Sequence, residues 1–535
     1  MINQQSFFEN NEKHLVSIQD ASIWASEYIN RKVSISNLSY LIQYGRINKY
    51  GNNGNPLVNI LELKKYYDST ALISHENSKY SNDIDWHLSF VEYTEAERTK
   101  HVHRLHPYKG KFIPQLVEYF LDSHKDEFKK QTYFSRGDIV LDPFCGSGTT
   151  LVEANILGLH AIGVDISDFN SLITNVKIGK YNLVNLQQEI QRITNRLDNF
   201  QEKRNIISFE NDLLIELSRY NSKYFPTPDY KKRIRNGEIS ETEYSNQREK
   251  EFSSTYYSLI KKYNIRVQQE NRNTFLGKWF LFPVREEIDY LLNELQNVEN
   301  KELRDVLSII ISRTVRSCRA TTHADLATLK NPVTTTYYCK KHGKICKPIF
   351  SLNNWWKFYS QDTLKRFSDF NRIKTDTFQF CITGDSRSIN LFDELEKISK
   401  DFTEILKQKQ IRGIFSSPPY LGLIDYHEQH AYAYELFNLK RNDDLEIGPL
   451  SQGQGKEAKD LYIKGISEVL VNSKKFLQSE YDIFLVANDK YHLYPKIAEI
   501  ANMKIVNQFK RPVLNRVEKD RNTAFSETIF HLKEK

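Results

Sequence analysis

The sequence predicts an α/β fold in which a mainly parallel sheet is interrupted by a long helical segment. A strand, a glycine-rich loop, a helix and a second strand follow one another over residues 137–165, which is the pattern of one βαβ unit. Strand-like runs return at 377–382, 413–415 and 481–487, whereas residues 170–375 are mostly polar with helical spacing. We therefore expect one α/β domain that carries a large, mostly helical inserted domain.

Length and composition are those of a globular chain with several domains. Its 535 residues exceed one ordinary core, and 39% hydrophobic with 27% charged residues excludes wholesale disorder. The chain has no apolar run long enough to span a membrane, and its start, Met1-Ile2-Asn3-Gln4-Gln5, lacks an apolar secretory segment. We therefore expect neither a membrane partner nor a secretory segment. Five cysteines are too few for a disulfide scaffold, and a cytoplasmic location is expected.

The first element is a small helical unit over residues 1–75. Ser17 precedes one helical pattern, Ser34 or Ser36 can cap a second, and Gly45 is placed to end it. Gly51-Asn52-Asn53-Gly54 then predicts a hairpin turn. The unit loosely resembles the winged helix-turn-helix units of excisionases and related regulators, which implies DNA binding. A three-helix packing module is the alternative, and residues 76–85 are expected to be a linker.

The glycine-rich loop at 142–150 follows a strand and opens a helix, so its backbone can approach a ligand closely. No Gly-Lys-Ser/Thr follows, so it is not a phosphate-cradling loop, and the third glycine of the dinucleotide fingerprint is missing. Asp142 precedes the glycines and Asp165 ends the next strand, where an acid can accept both hydroxyls of a ribose. The loop therefore suits a nucleoside without a pyrophosphate.

Four segments together resemble the S-adenosylmethionine-dependent DNA amino-methyltransferases. They are the glycine loop, Asp165, the segment 383–386 and the upstream segment 106–114, which in this family closes over the methionine part of the cofactor. The resemblance implies a Rossmann-like methyltransferase sheet and S-adenosylmethionine as cofactor. The cofactor-binding residues that it implies are His106, Pro107, Tyr108, Lys111, Asp142, Phe144, Gly146, Ser147, Gly148, Thr149, Thr150, Asp165 and Asp385.

The tetrapeptide Ser417-Pro418-Pro419-Tyr420 follows a strand and supplies the expected catalytic residues. Two prolines end the strand ladder and leave the Ser417 side chain and two carbonyls free to face a ligand. An exocyclic amino nitrogen is a poor nucleophile, and acceptors at its two protons aim its lone pair at a methyl group. The target base must first leave the duplex, and Tyr420 offers a flat face on which it can stack.

Ser-Pro-Pro-Tyr resembles the tetrapeptide of the amino-methyltransferases, and its serine form resembles mostly the cytosine-N4 enzymes. We therefore expect a site-specific DNA cytosine-N4 methyltransferase. An adenine-N6 enzyme is the runner-up, an RNA enzyme is less favoured, and a DNA-binding regulator with an inactive methyltransferase core is the alternative of another class. Asp425, His427 or Glu428 downstream either order the loop and accept a proton or cap a solvated helix, and 511–516 with 525–530 predict a final hairpin.

The expected domains are 1–75, a cofactor half at 86–190, the insert at 191–375 and a catalytic half at 376–535. Residues 300–372 contain 14 Lys and Arg against 5 Asp and Glu, a balance of +9 in a chain of net charge +7. In the family that this chain resembles, a target-recognition domain is inserted before the catalytic tetrapeptide, so the resemblance implies that the insert binds double-stranded DNA. Its basic and aromatic residues suit contacts with phosphates and stacking on bases. A solvated basic face over an aromatic core is the alternative. The interleaved aromatic residues are Tyr337, Tyr338, Trp355, Trp356, Phe358 and Tyr359.

Cys339, His342 and Cys346 in the insert have the residue types of metal ligands, although the methyl transfer itself requires no metal. Zinc prefers four ligands, and Cys318 or His323 is the candidate for the fourth position of a structural site. A buried thiol pair beside a phosphate-binding histidine is the alternative. The chain has no recognisable nuclease motif, and a separate restriction enzyme as genetic partner is implied by the family resemblance alone.

Overall fold

A computed structural model describes most of the chain. The described residues are 14–29, 33–43, 46–51, 56–75, 85–90, 93–269, 272–322, 331–513 and 526–535. Among them no helix combines the length and the apolar composition that crossing a bilayer requires. Several sequence-based predictions lie outside the described residues: the helix end at Gly45, the turn at 52–54, the linker over 76–84, His323 as a zinc ligand, and 514–525 in the final hairpin.

The predicted α/β class is confirmed by a seven-stranded sheet with a parallel centre. Its order is β10-β11-β9-β8-β3-β4-β7, and every pair from β9 to β7 is parallel. β11 runs antiparallel to both of its neighbours. The strands are β3 (Ile139–Asp142), β4 (His160–Asp165), β7 (Gln379–Thr383), β8 (Ile411–Ser416), β9 (Leu477–Ala487), β10 (Met503–Pro512) and β11 (Ser526–Glu534); two short pairs lie outside the sheet, β1 (Leu15–Ser17) with β2 (Leu57–Asn59), and β5 (Tyr337–Cys339) with β6 (Lys344–Cys346).

The strand order places a crevice beside β3. The chain proceeds from β3 outward to β4 and β7, then returns to β8 on the other side of β3. Ligands of open parallel sheets bind outside the carboxyl ends of the strands where the order reverses in this way. The glycine loop after β3 and the tetrapeptide after β8 therefore meet at one edge.

The described helices cover both faces of the sheet and build the N-terminal unit and the insert. They are α1 (Ile18–Tyr28), α2 (Ile35–Gln43), α3 (Ile60–His75), α4 (Glu95–Arg98), α5 (Pro114–Leu121), α6 (Thr149–Ile156), α7 (Asp168–Ile178), α8 (Leu183–Glu202), α9 (Ile206–Tyr224), α10 (Asp229–Arg235), α11 (Glu241–Tyr263), α12 (Phe275–Trp279), α13 (Phe282–Gln296), α14 (Lys301–Ser317), α15 (Asn353–Asn371), α16 (Leu391–Ile398), α17 (Lys400–Lys409), α18 (Tyr426–Gln429), α19 (Ala431–Phe437), α20 (Lys456–Lys474) and α21 (Tyr494–Ile500).

The N-terminal unit packs its three helices around a small core of its own. Ala21, Leu38, Val58 and Leu63 are buried in it, and Ser17 caps α1 by accepting a hydrogen bond from the Asp20 amide at 3.1 Å. A capped amphipathic helix and a second short helix are what the spacing predicts. DNA binding by this unit stays a prediction.

Helices α8 to α15 form a layer that shares one hydrophobic core with the sheet domain. Phe169 of α7 and Tyr432 of α19 belong to the same buried cluster as Phe209, Leu291 and Trp356 of the layer. The mostly helical character of residues 191–375 agrees with the sequence pattern. The shared core explains how this segment can position residues of the sheet edge, although it is inserted between β4 and β7.

The final hairpin is longer than the sequence predicts. β10 starts at Met503, whereas the sequence predicts a start at Arg511. Only Met503, Phe509, Arg511 and Pro512 of this strand are buried, so its first half shows little strand pattern in the sequence. Apart from the partly buried Ile505, the remaining side chains of this edge strand are polar or exposed, so the apolar alternation that indicates a half-buried strand is weak.

Candidate active site

The crevice at the carboxyl ends of β3 and β8 is a cleft of about 880 Å³, part of it open to solvent. The sequence-predicted residues that line it are Tyr108, Lys111, Phe144, Gly146, Ser147, Thr149, Asp165, Asp385, Ser417 and Pro419. Residues from four separate segments, 108–111, 144–165, 385 and 417–419, are thus brought together.

The glycine loop is held against α7 by close backbone contacts. Gly148 has a φ of +75°, and a Cβ there would lie 2.5 Å from Cγ2 of Thr174. Thr174 in turn donates its hydroxyl to the Gly146 carbonyl at 3.2 Å. Only glycine meets both requirements at residue 148, since other side chains rarely adopt a positive φ and have no room here.

Asp165 ends β4 and faces the cleft. It accepts hydrogen bonds from the Gly146 amide at 2.8 Å, the Ser167 amide at 2.9 Å and the Asn170 side chain at 3.0 Å. Burial raises its pKa to about 6, against the opposing effect of these donors. The carboxylate is therefore fixed in orientation before any ligand arrives.

Asp142 lies behind the cleft wall rather than in it. It is 1% exposed, and its Oδ1 accepts the Ser416 hydroxyl at 2.5 Å and the Phe144 amide at 3.2 Å. Burial raises the pKa of Asp142 to about 6. Because Ser416 is the last residue of β8, Asp142 ties together the two strand ends that carry the glycine loop and the tetrapeptide.

The upstream segment divides between the cleft and the core. Tyr108 and Lys111 line the cleft, but His106 and Pro107 do not. His106 is fully buried, with its Nε2 3.0 Å from the Ser312 hydroxyl and 3.2 Å from the Tyr432 hydroxyl, and burial holds its pKa well below the usual value. His106 therefore does not line the cleft, and its ring joins α14 and α19 behind it.

The tetrapeptide presents Ser417 and Pro419 to the cleft, while Pro418 and Tyr420 do not line it. The Pro419 carbonyl accepts the Tyr462 hydroxyl at 2.8 Å, which anchors the turn to α20. Tyr420 donates its hydroxyl to Glu527 of β11 at 2.7 Å, and Glu527 pairs with Arg511 at 3.2 Å. Burial, followed by the neighbouring Glu527, raises the pKa of Tyr420 well above its usual value.

Asp385 lies on the opposite side of the cleft from the tetrapeptide strand, after β7. Both of its carboxylate oxygens accept hydrogen bonds from Arg387, at 2.7 to 3.0 Å. The pKa of Asp385 is held below its usual value because these bonds outweigh the effect of burial.

Gly148 and Thr150 do not line the cleft. The Thr150 hydroxyl donates to the Phe415 carbonyl at 3.3 Å and so joins α6 to β8.

Comparison with known proteins identifies the family of the chain. A DNA methylase family model matches residues 3–175. The type II methyltransferase M.MjaII of Methanocaldococcus jannaschii is 44% identical over 529 residues, 97% of each chain. The chain belongs to the DNA amino-methyltransferases. S-adenosylmethionine is the methyl donor of this family, and the cofactor prediction is confirmed.

Two further matches are more limited. The type II methyltransferase M.BsoBI of Geobacillus stearothermophilus is 35% identical over 101 residues, 18% of each chain. Among solved structures, the rRNA methyltransferase aviRa of Streptomyces viridochromogenes covers 83% of this chain and 94% of its own, at 9% identity and a TM-score of 0.29. A TM-score of this size indicates no close structural correspondence.

The methyltransferase cleft fits S-adenosylmethionine in its polar groups. Ser147 Oγ is buried, lines the cleft and has no hydrogen-bond partner among the described residues. A buried hydroxyl without a partner is costly, so it indicates a polar ligand atom at this position. Together with the fixed Asp165 carboxylate, it gives the cleft one donor and one acceptor for a nucleoside.

Sequence reasoning missed part of the methyltransferase site. Glu446 lines the cleft beside His427, accepts the His427 amide at 2.8 Å and also contacts the His427 ring nitrogen Nδ1. The polar run around His427 was a signal, but Glu446 lies 19 residues away in an irregular loop. Other cleft residues lie inside the predicted motif segments without being expected as ligands: Gly110, Phe112, Pro143, Cys145 and Ser386. Outside those segments the cleft is also lined by Ile166, Ser167, Asn170, Tyr426, Leu445, Ile447 and Val469.

The basic segment of the insert is only partly a free surface. Trp356 and Tyr337 are buried in the core, whereas Trp355 and Phe358 are 36% and 56% exposed on α15. Arg313 is buried and pairs with Asp362 at 2.6 Å. The alternative of a basic face over an aromatic core therefore accounts for the buried aromatic residues of this segment. Trp355 and Phe358 are its aromatic side chains that are exposed enough to contact a partner.

Proposed function

We propose that this methyltransferase transfers a methyl group to the N4 amino group of a cytosine that has left the stack of double-stranded DNA. The observation that carries the proposal is the position of Ser417. It lines the cleft at the end of β8, across the crevice from the glycine loop, within a Ser-Pro-Pro-Tyr sequence whose serine form resembles the cytosine-N4 enzymes.

The cleft residues would hold the cofactor in one orientation. Asp165 is proposed to accept the ribose hydroxyls and Asp385 to meet the adenine end, while Ser147 and Tyr108 line other parts of the cleft wall. When bound, S-adenosylmethionine supplies a sulfonium methyl group as electrophile. The remaining task of the protein is to exclude water and to present the amino nitrogen in line with that methyl group.

Ser417 and the tetrapeptide carbonyls are proposed to position the target nitrogen. Two acceptors at the amino protons favour a pyramidal nitrogen, so that its lone pair points toward the cleft rather than into the ring. The turn is fixed by Tyr462 and Glu527 before the base arrives, so little ordering is required during the reaction. Tyr420 has its hydroxyl held by Glu527, and its ring is proposed to stack on the flipped base.

Recognition of DNA is proposed to involve two parts of the chain. The N-terminal unit resembles duplex readers, and the insert presents Trp355 and Phe358 among basic residues. Phosphate contacts would supply affinity and aromatic contacts would accompany the distortion of the duplex. We also propose that the protein is cytoplasmic and that it is paired genetically with a separate restriction enzyme.

Mass spectrometry of nucleosides tests the proposal directly. DNA is methylated in vitro with the full chain, digested and analysed for methylated nucleosides. N4-methyldeoxycytidine is the expected product, and N6-methyldeoxyadenosine would overturn the choice of base. The matched control is Ser417→Ala, which should form product roughly 10²–10³-fold more slowly. Absence of both products with the unmodified chain, on DNA of several sequences, would support the inactive regulator instead.

A further inference from the structure

The hairpin β5–β6 lies in the helical layer, and none of its residues lines the cofactor cleft. Its two strands pair antiparallel, with Tyr337 opposite Cys346 and Cys339 opposite Lys344. Asn221 of α9 holds one side of it through two 2.9 Å bonds to the Ile345 backbone, and Lys231 donates to the Lys340 carbonyl at 2.8 Å. The hairpin is thus docked on the layer at defined points.

The turn of this hairpin gathers metal-ligating side chains. The Cys339 carbonyl accepts the amides of His342 at 3.1 Å and Gly343 at 2.7 Å. Gly343 has a φ of +62°, which lets the chain reverse immediately after His342. As a result Cys339, His342 and Cys346 place one ligand atom each within 4.8 Å of one another.

These separations suit a zinc ion. Zn–S bonds of about 2.3 Å and Zn–N bonds of about 2.0 Å imply that ligand atoms of a tetrahedral site are roughly 3.5 Å apart. The Cys346 sulfur lies 3.6 Å from Nδ1 of His342. Two thiolates would neutralise the divalent ion, and the imidazole would add a neutral ligand.

We propose that Cys339, His342 and Cys346 bind one zinc ion, which closes the hairpin between its two strands and its turn. Among the residues that the structure describes, these three form the whole ligand group. Cys318, a candidate for the fourth ligand, is not part of it. The ion is therefore assigned three protein ligands.

The ion would have a structural effect that is independent of the methyl acceptor. The strands of the hairpin are three residues each, which is too short for much stability of their own. Metal binding free energy adds to the stability of whatever its ligands connect. Zinc would therefore keep the basic tip, with Lys340, Lys341 and Lys344, in one conformation.

Metal analysis of the full-length chain tests the site. The protein is purified without added metal, passed through gel filtration and measured for zinc by inductively coupled plasma mass spectrometry. We expect close to one zinc per chain, falling to less than about a tenth in Cys339→Ser, Cys346→Ser and His342→Ala. Cys381→Ser is the matched control, because it removes a buried cysteine of β7 and should leave zinc unchanged.

Cobalt substitution keeps the test valid if a variant fails to fold. The unmodified chain, stripped with a chelator and titrated with Co²⁺, should show a thiolate-to-cobalt charge-transfer band that saturates at one equivalent. Absence of that band together with substoichiometric zinc would overturn the proposal. A Cys339–Cys346 disulfide in protein purified under reducing conditions would overturn it as well, and so would zinc retained in all three variants.

Discussion

The two loops at the sheet edge meet in one cleft but are held in place differently. The glycine loop is fixed by Asp165, Thr174 and Lys177, whose hydrogen bonds to it span 19 to 30 residues of sequence. The tetrapeptide is fixed by Tyr462 and Glu527, through bonds that span 43 and 107 residues. Three longer contacts, Asp142 to Ser416, Thr150 to Phe415 and Ser386 to Pro143, also tie the glycine loop to later strands. The cofactor side therefore combines local and distant contacts, while the target side depends on distant contacts from the C-terminal half. Substitutions in the glycine loop should therefore weaken cofactor binding, whereas substitutions at the tetrapeptide should impair positioning of the target base.

The largest separation is expected for Ser417→Ala. Loss of a positioned polar contact in an active site lowers the chemical rate by roughly 10²–10³-fold. We expect single-turnover methyl transfer to fall by that amount while S-adenosylmethionine affinity, measured by calorimetry, changes less than about twofold. Ser258→Ala on α11, which removes an exposed hydroxyl, is the control. A variant rate within a few-fold of the unmodified enzyme would exclude Ser417 from base positioning.

Gly148→Ala tests the cofactor side. The new Cβ would meet Thr174, and the positive φ adds about 1–2 kcal/mol of strain, so the loop must shift. We expect S-adenosylmethionine affinity to fall by about 30- to 100-fold, equivalent to roughly 2–3 kcal/mol. The matched control is Gly237→Ala, where φ is +74° but nothing lies within 4 Å of the added atom. Unchanged cofactor affinity in Gly148→Ala would show that the loop tolerates displacement.

Glu527→Gln probes the long-range anchor of the tetrapeptide. It leaves the buried Arg511 without a charged partner, which destabilises the fold by about 1–3 kcal/mol. We expect kcat/KM for DNA to fall about tenfold with unchanged cofactor affinity, since Tyr420 loses its charged acceptor. Glu534→Gln on the same strand is the control, because its ion pair with Lys474 is half-exposed. Equal effects of the two variants would argue against the anchor.

The smallest effect concerns pH and the Asp165 carboxylate. Its pKa of about 6 before binding means that it becomes protonated as the pH falls through 6. Ribose hydroxyls donate to the ionised form, so binding favours the charged state and affinity is lost below this pH. We expect S-adenosylmethionine affinity to drop severalfold between pH 7 and pH 5.5, roughly in proportion to the ionised fraction.

Asp165→Asn should bind the cofactor more weakly and lose most of this dependence. Asp142 titrates in the same range, because burial raises its pKa to about 6 too, but it lies behind the cleft wall. A dependence on pH that persists in Asp165→Asn would assign the effect to Asp142 through the loop rather than to the ribose site.

The cofactor side could be predicted from sequence because its determinants are local. A strand end, two glycines and an acid at the end of the next strand lie within 24 residues and leave a recognisable pattern. His106 shows the limit of such a pattern. A motif predicts that a residue lies near the cleft, but not whether its side chain faces the cleft or the core behind it. Pro107, Asp142 and Thr150 likewise support the cleft from behind rather than line it.

On the target side, the sequence predicts the tetrapeptide and the final hairpin that carries Glu527, but not the contacts that hold the tetrapeptide in place. The supports of the tetrapeptide, Tyr462 and Glu527, come from a helix and a strand that show no chemical signature in the sequence. Glu446 beside His427 lies in an irregular loop, where no periodicity places it near the cleft. The shared core between the insert and the sheet was not predictable either, because helical spacing shows that a face is buried but not against what.

The position of β11 in the sheet determines when parts of the site can form during synthesis. β11 lies between β9 and β10 in the sheet, although it is made after both. During synthesis β9 therefore keeps an open edge and Tyr420 lacks its carboxylate partner until Ser526–Glu534 emerges. We expect the nascent chain to acquire its cofactor cleft first and its competence on DNA last, so that an incomplete translation product would bind S-adenosylmethionine without modifying the genome.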